Sequence, residues 1–119
     1  TLGVGAGWQV NESEQYGIEL LPRGERVRQF EEACEVLKGL LTDDRTSLDG
    51  EHFTLTDAIC EPKPVQSTLP LLIGGKGDRM LGVAARHADA WNMWGLPPTV
   101  AGRGAVLNRN CAALGRDPT

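Results

Sequence analysis

Apolar positions recur along the chain with two different periods, and so predict alternating helices and strands. The clearest helix covers 24–41. Val27, Phe30, Cys34, Leu37 and Leu41 recur there at three- and four-residue spacing, while Glu31, Glu32, Glu35 and Lys38 fall on the other side. Pro22 stands just upstream, where a helix starts but does not continue. Gly39 is a weak spot within it, costing about 1 kcal/mol relative to alanine. Residues 1–7 read as the end of a buried strand entering a glycine turn, and 8–16 as a polar loop with solvated Glu12 and Glu14. Residues 46–55 predict a β-hairpin, with Asp49-Gly50 as a two-residue turn between Ser47-Leu48 and the segment 52–55. Pro62 and Pro64 then keep the chain extended.

The most informative stretch follows. Leu69 to Ile73 is continuously apolar apart from Pro70 and reads as a short buried strand. Gly74-Gly75-Lys76-Gly77 is a tight turn, and Asp78 is placed to cap a helix with Met80, Leu81, Val83 and Ala84 on its buried face. That helix ends near His87, residues 88–93 form a second buried strand, and Pro97-Pro98 precede a last helix over 100–114. Strand, turn, helix and strand in so few residues imply a parallel pair with a crossover connection. Parallel strands of this kind need both faces covered and their edges closed. The fold class is therefore α/β, a segment of a (β/α)₈ TIM-type barrel with an inserted β-hairpin. A whole barrel takes ~250 residues and eight strands, and an open doubly wound sheet is the structural alternative. Residues 1–119 read as one partial barrel domain, truncated at both ends. The chain opens inside an apolar strand at Thr1 and closes on a glycine-then-proline helix exit. Such a piece is expected to be inactive alone.

Composition narrows the function. A net charge of −4 over 119 residues disfavours a nucleic-acid partner, which needs a basic face. No apolar run approaches the ~20 residues of a membrane span, and no signal segment opens the chain. Cys34, Cys60 and Cys111 form no CxxC pair and read as reduced, cytoplasmic thiols, with Cys34 packed in the helix face. His52 and His87 have no metal-ligand spacing, so no metal is expected. No Ser-His-Asp or paired-carboxylate arrangement can be argued, so no catalytic residue is assigned.

In either parallel fold, functional groups gather at the carboxyl ends of the strands. Glycines at 74, 75 and 77 let backbone approach a ligand, and the following helix offers free N–H groups to a phosphate with Lys76 adding charge. A tight connection without a ligand is the equal alternative. The turn is not a Walker A loop, because Gly77 stands where serine or threonine is required. Gly3 to Gly7 is a second glycine-rich strand end. Trp8 occupies the third glycine position of a Rossmann fingerprint, and no helix follows promptly. A flat cofactor ring lying against this side-chain-poor backbone fits better. Trp8, Trp91 and Trp94 surround the strand ends and are candidates to wall an apolar pocket, although Trp91 alone reads as ordinary core. His87 reads as a favourable charge at a helix C-terminus.

The chain resembles the luciferase-like monooxygenase family in its coenzyme F420-dependent oxidoreductase branch, from Leu2 to about Asn92. The resemblance is carried by Leu2-Gly3-Val4-Gly5-Ala6-Gly7-Trp8, Glu14-Gln15-Tyr16-Gly17-Ile18 and Gly24-Glu25-Arg26, then by Leu48-Asp49-Gly50-Glu51-His52-Phe53 and Pro62-Lys63-Pro64-Val65-Gln66. It continues through Leu72-Ile73-Gly74-Gly75-Lys76-Gly77 and Ala84-Ala85-Arg86-His87-Ala88-Asp89-Ala90-Trp91-Asn92. It implies a (β/α)₈ barrel in which the hairpin is a family insertion. It implies that Gly74, Gly75, Lys76 and Gly77 hold a cofactor phosphate. Gly5, Ala6 and Gly7 would lie beside the ring system, with Trp8, Asn92 and Trp94 around the substrate. Members use F420 for hydride transfer at a deazaflavin, or FMN for oxygen chemistry. Some F420 enzymes of the family carry an acid about where Ala6 stands, so no proton donor is carried over. Lys76 replaces a residue that is commonly small. The leading expectation is thus part of an F420-dependent oxidoreductase acting on a small organic substrate. An FMN-dependent monooxygenase is the alternative within the fold. From another class comes a non-catalytic β/α module stabilised by self-association as a homodimer.

Overall fold

A computed structural model describes residues 1–118. In chain order its elements are β1 (Leu2–Val4), α1 (Val10–Tyr16), α2 (Arg23–Thr42), β2 (Thr46–Asp49), β3 (Thr54–Ala58), β4 (Leu71–Gly74), α3 (Asp78–His87), β5 (Ala90–Asn92) and α4 (Pro97–Ala113). The chain falls into two compact units. One joins residues 1–5 to the chain from Thr68 onward, and the other is Ala6–Ser67.

The first unit is a three-stranded sheet of order β1-β4-β5 with α3 and α4. Both strand pairs are parallel. Val4 stands in register with Ile73, Ile73 with Trp91, and Gly74 with Asn92. The core lies between the central strand and the helices. Leu71 and Ile73 of β4, Leu81, Val83, Ala84 and Ala85 of α3, and Cys111 of α4 are all buried. Complete burial of side chains such as Ile73, Leu81 and Val83 contributes about 1.5–3 kcal/mol each.

Only β4 has the buried character expected of all three strands. β1 and β5 lie at the sheet edges and contribute no buried residue, with Ala90 and Asn92 exposed. On α3, Ala85 is buried where the pattern predicts Met80, and Met80 is half-buried. The amino ends of β4 and β5 are laced together. The Leu71 N–H donates to Asp89 Oδ2 at 2.8 Å, and the Asp89 N–H donates to the Leu71 carbonyl at 2.9 Å. Arg116 closes α3 by donating to the carbonyls of Ala85 at 2.6 Å and Ala88 at 2.9 Å, the favourable position for a cation at a helix C-terminus. α4 starts earlier than the pattern suggests. Pro97 and Pro98 are its first residues rather than its preface, because a helix needs no N–H there.

The second unit packs α2 against the β2–β3 hairpin. Phe30 and Cys34 are the buried centre of the α2 stripe, while Val27, Leu37 and Leu41 are half-buried. Three expectations change here. The polar segment after Trp8 contains a helix, α1, closed by Gly17 at φ +65° with its N–H on the Glu14 carbonyl and that of Ile18 on Ser13. This double closure satisfies carbonyls that a short helix would otherwise leave open. The hairpin connection is not a two-residue turn at Asp49-Gly50, because Asp49 pairs with Thr54 and the loop is 50–53. Glu32 does not face solvent with its charged neighbours. Its carboxylate accepts N–H bonds from Glu51 (3.0 Å), His52 (2.8 Å) and Phe53 (3.1 Å). Those three bonds hold the wider loop. Beyond the hairpin, Lys63 donates from Nζ to the Leu40 carbonyl near the end of α2 at 3.0 Å.

Candidate functional site

Because the three strands run parallel, their carboxyl ends share one edge of the sheet. Gly5 follows β1, Gly74 closes β4 and Asn92 closes β5, so the edge begins in bare backbone. A Cβ on Gly5 would stand 3.7 Å from the Gly74 carbonyl oxygen. The chain then turns sharply at Gly75, whose φ is +150°. A side chain there would be strained and would stand 3.2 Å from Met80 Cβ. Gly75 is held through the peptide groups on both its sides. Its N–H donates to the Asn92 carbonyl at 3.0 Å, and its carbonyl accepts the indole N–H of Trp91 at 2.7 Å.

Gly77 is the residue before α3 and provides no capping side chain. The first N–H groups of a helix have no partner within it and carry its positive partial charge. Nothing stands within 4 Å of the position a Gly77 Cβ would take. Asp78, expected as the cap, is instead the first helical residue. A cap must precede the helix with its side chain folded back, whereas the Asp78 carboxylate accepts from the Arg103 guanidinium of α4 and forms an ion pair with it. That pairing offsets an acid that would oppose an anion at this helix end. Lys76 is exposed, with Nζ 4.3 Å from the centroid of the Trp94 ring, and Trp94 is 80% exposed. Bare backbone, an uncapped helix start and an adjacent cation together fit a phosphate group.

The sheet edge thus brings together Gly5, Gly74, Gly75, Lys76, Gly77, Asn92 and Trp94. Ala6, Gly7 and Trp8 belong to the second unit. There Gly7 takes φ +75°, Trp8 is 76% exposed and α1 begins at Val10, sooner than the sequence pattern suggests. Sequence reasoning assigns Trp91 to core packing and misses its hydrogen bond. A half-buried indole N–H needs an acceptor, and its place on the strand end beside a glycine turn is the available signal.

Two other groupings of side chains occur among the described residues. Ligand atoms of Glu32, Glu51 and His52 come within 4.8 Å of one another. The Glu32 carboxylate is engaged by three loop N–H groups, and Glu51 pairs with Arg28 at 3.2 Å. The trio is a clasp between α2 and the hairpin, in which the loop N–H groups and the His52 imidazole draw the Glu32 carboxyl below its ordinary range. An open pocket of about 480 Å³ lies along α3, β5 and α4, lined by Ala84, Asp89, Trp91, Leu107, Cys111 and Arg116 among others. Its Asp89 and Arg116 are already used in holding the strand and helix ends. Cys34 is fully buried, and its thiol is pushed up to about 11 by that burial. No helix among the described residues is long and apolar enough to cross a membrane.

The likenesses to known proteins agree with this architecture. The chain is 34% identical over 92 residues to an uncharacterised protein of Mycobacterium tuberculosis, covering 76% of this chain and 32% of that protein. It is 31% identical over 90 residues to the FMNH(2)-dependent dimethylsulfone monooxygenase of Pseudomonas putida, covering 76% of this chain and 25% of the relative. Among solved structures, an F420-dependent secondary alcohol dehydrogenase in complex with an F420-acetone adduct superposes with a TM-score of 0.85 at 27% identity, over 98% of this chain and 36% of the other. The chain therefore spans about a third of the length of relatives it matches, and its parallel sheet with an antiparallel hairpin is a segment of their barrel fold. The profile of luciferase-like monooxygenases matches residues 1–119, well past Asn92, and the chain belongs to that family.

Proposed function

We propose that the whole protein carrying this chain is an F420-dependent oxidoreductase that moves a hydride between the deazaflavin and a small organic substrate. The observation that supports this reading is the turn after β4, where glycines, an uncapped helix start and Lys76 come together in an arrangement suited to a phosphate, here called the phosphate cradle. Gly74, Gly75 and Gly77 let the backbone approach the phosphate, the first N–H groups of α3 bind it, and Lys76 adds a point charge. The side-chain-poor backbone at Gly5 would lie beside the flat ring system. On the same sheet edge, Asn92 and Trp94 would face the substrate. The bound deazaflavin supplies the redox chemistry, and the protein binds and orients. Ala6 offers no proton, and no catalytic acid or base is assigned within this chain. Reduced thiols, Cys34 above all, suit a cytoplasmic setting.

The likeness to an F420-dependent alcohol dehydrogenase structure supports the deazaflavin. A second reading, an FMN-dependent monooxygenase, is supported by the identity to the dimethylsulfone monooxygenase, and the same cradle would serve it. Parallel titrations with F420 and FMN, followed by fluorescence, decide between them. Tighter saturable binding of F420 is the expected result. Selective binding of FMN would establish the second reading, and binding of neither would remove the cradle's role.

A further inference from the structure

We propose that Trp91 is a positioning residue for the phosphate cradle, and that its indole N–H sets the affinity for the phosphorylated form of the cofactor; this rests on the cradle reading given above. Trp91 stands on β5 with Gly104 of α4 as a neighbour of its ring. It acts through Gly75, whose carbonyl accepts the indole N–H at 2.7 Å. The same glycine is tied to β5 a second time, by the Gly75 N–H on the Asn92 carbonyl at 3.0 Å. These two bonds fix the direction in which the chain leaves Gly75. That direction aims the N–H groups of the next residues, which start α3 without a capping side chain.

The side chain that makes the bond packs beside α4. Gly104 of α4 lies under the Trp91 ring, where a Cβ would stand 3.9 Å from the ring edge. The ring is half-buried, so its N–H is spent on Gly75 rather than on solvent. Glycine is intrinsically the most permissive residue of the backbone, so Gly75 relies on these bonds to hold one conformation. Without the indole bond the Gly75 carbonyl is free to rotate, and the N–H groups beyond it lose a shared direction. Donors that are aimed before the anion arrives bind it better than donors that must be ordered by it.

The test separates this role from general support of the fold. In the full chain, Trp91→Phe keeps a ring and removes the N–H. Dissociation constants are measured for FMN against riboflavin, and for F420 against its phosphate-free deazaflavin core, beside the thermal midpoint. The wild type is expected to prefer the phosphorylated member of each pair. In Trp91→Phe the affinity for that member falls about tenfold, the scale of one well-placed hydrogen bond, while the phosphate-free affinity is unchanged. An equal loss for both members would show a merely structural role and overturn the proposal, as would no loss for either. A wild type without any preference for the phosphorylated forms would overturn the cradle reading itself. If Trp91→Phe does not fold, the isosteric benzothiophene analogue of tryptophan, confined to position 91 in a Trp8→Phe, Trp94→Phe background, removes the N–H alone, and the same comparison is made within that background.

Discussion

The Nζ of Lys76 stands 4.3 Å from the centroid of the Trp94 ring, joining the turn after β4 to the loop after β5. A cation over an exposed aromatic face is worth about 0.5–1 kcal/mol. A hydrogen bond to a charged phosphate oxygen is worth about 1.5–3 kcal/mol. The phosphate contact is the stronger of the two, so a phosphate bound at this turn would draw Lys76 from the ring. The contact thus keeps the cation at the sheet edge without committing it.

Replacing Lys76 by methionine keeps most of the stem and removes the charge. Affinity for the phosphorylated cofactor is expected to fall about tenfold at low ionic strength. The loss should shrink in concentrated salt, because the charge is exposed and screened. Calorimetric titration of both proteins at two salt concentrations checks this. Equal affinities for Lys76→Met and wild type at low salt would remove Lys76 from the site.

The hairpin clasp makes a separate prediction about acid stability. The Glu32 carboxyl titrates below its ordinary value of 4.5, chiefly because the His52 N–H, with those of Phe53 and Glu51, bonds its charged form. A carboxyl lowered in the folded state contributes stability above its unfolded value, and this is lost as pH falls through the folded one. Glu32→Gln presents an amide whose N–H₂ cannot accept from the loop. It is expected to unfold at lower temperature than wild type near pH 7, with the gap closing below pH ~4.5 as the wild-type carboxyl becomes protonated. Thermal melts of both proteins from neutral to acid pH measure it. A gap that stays constant across that range would mean that the carboxylate charge is not what holds the loop.

What the sequence reveals divides by the range of the interactions involved. The α2 stripe through Phe30 and Cys34 is legible because helical periodicity is local, and the run ending at Ile73 because a central parallel strand is buried on both faces. The glycine turn at 74–77 is legible as a candidate cradle for the same reason. The hairpin loop escapes a local reading because its width is set by Glu32, some twenty residues earlier in the chain. Asp78 escapes it because Arg103 claims its carboxylate from another helix. Trp91 looks like core because the acceptor of its N–H, Gly75, lies sixteen residues away. Gly39 looks like a defect in α2 because its neighbour across the packing interface, Thr46, carries no local signal.

That last pair gives a prediction whose sign the sequence alone would reverse. By helix propensity, Gly39→Ala should stabilise α2 by about 1 kcal/mol. The new Cβ would stand 2.5 Å from Thr46 Cγ2 and 3.0 Å from its Oγ1. Thr46 is buried on β2 and cannot swing into solvent. Overpacking of this kind costs about 1–3 kcal/mol, more than the propensity gain. Gly39→Ala is therefore expected to be less stable than wild type, by about 1 kcal/mol once the two effects are combined. Thr46→Ser removes the methyl group that makes the closest contact. In that background Gly39→Ala should be neutral or stabilising, so the two substitutions are coupled. Urea denaturation of the four proteins measures both effects. A more stable Gly39→Ala single variant would show that α2 and β2 separate readily, and that the close approach at Thr46 does not account for the glycine.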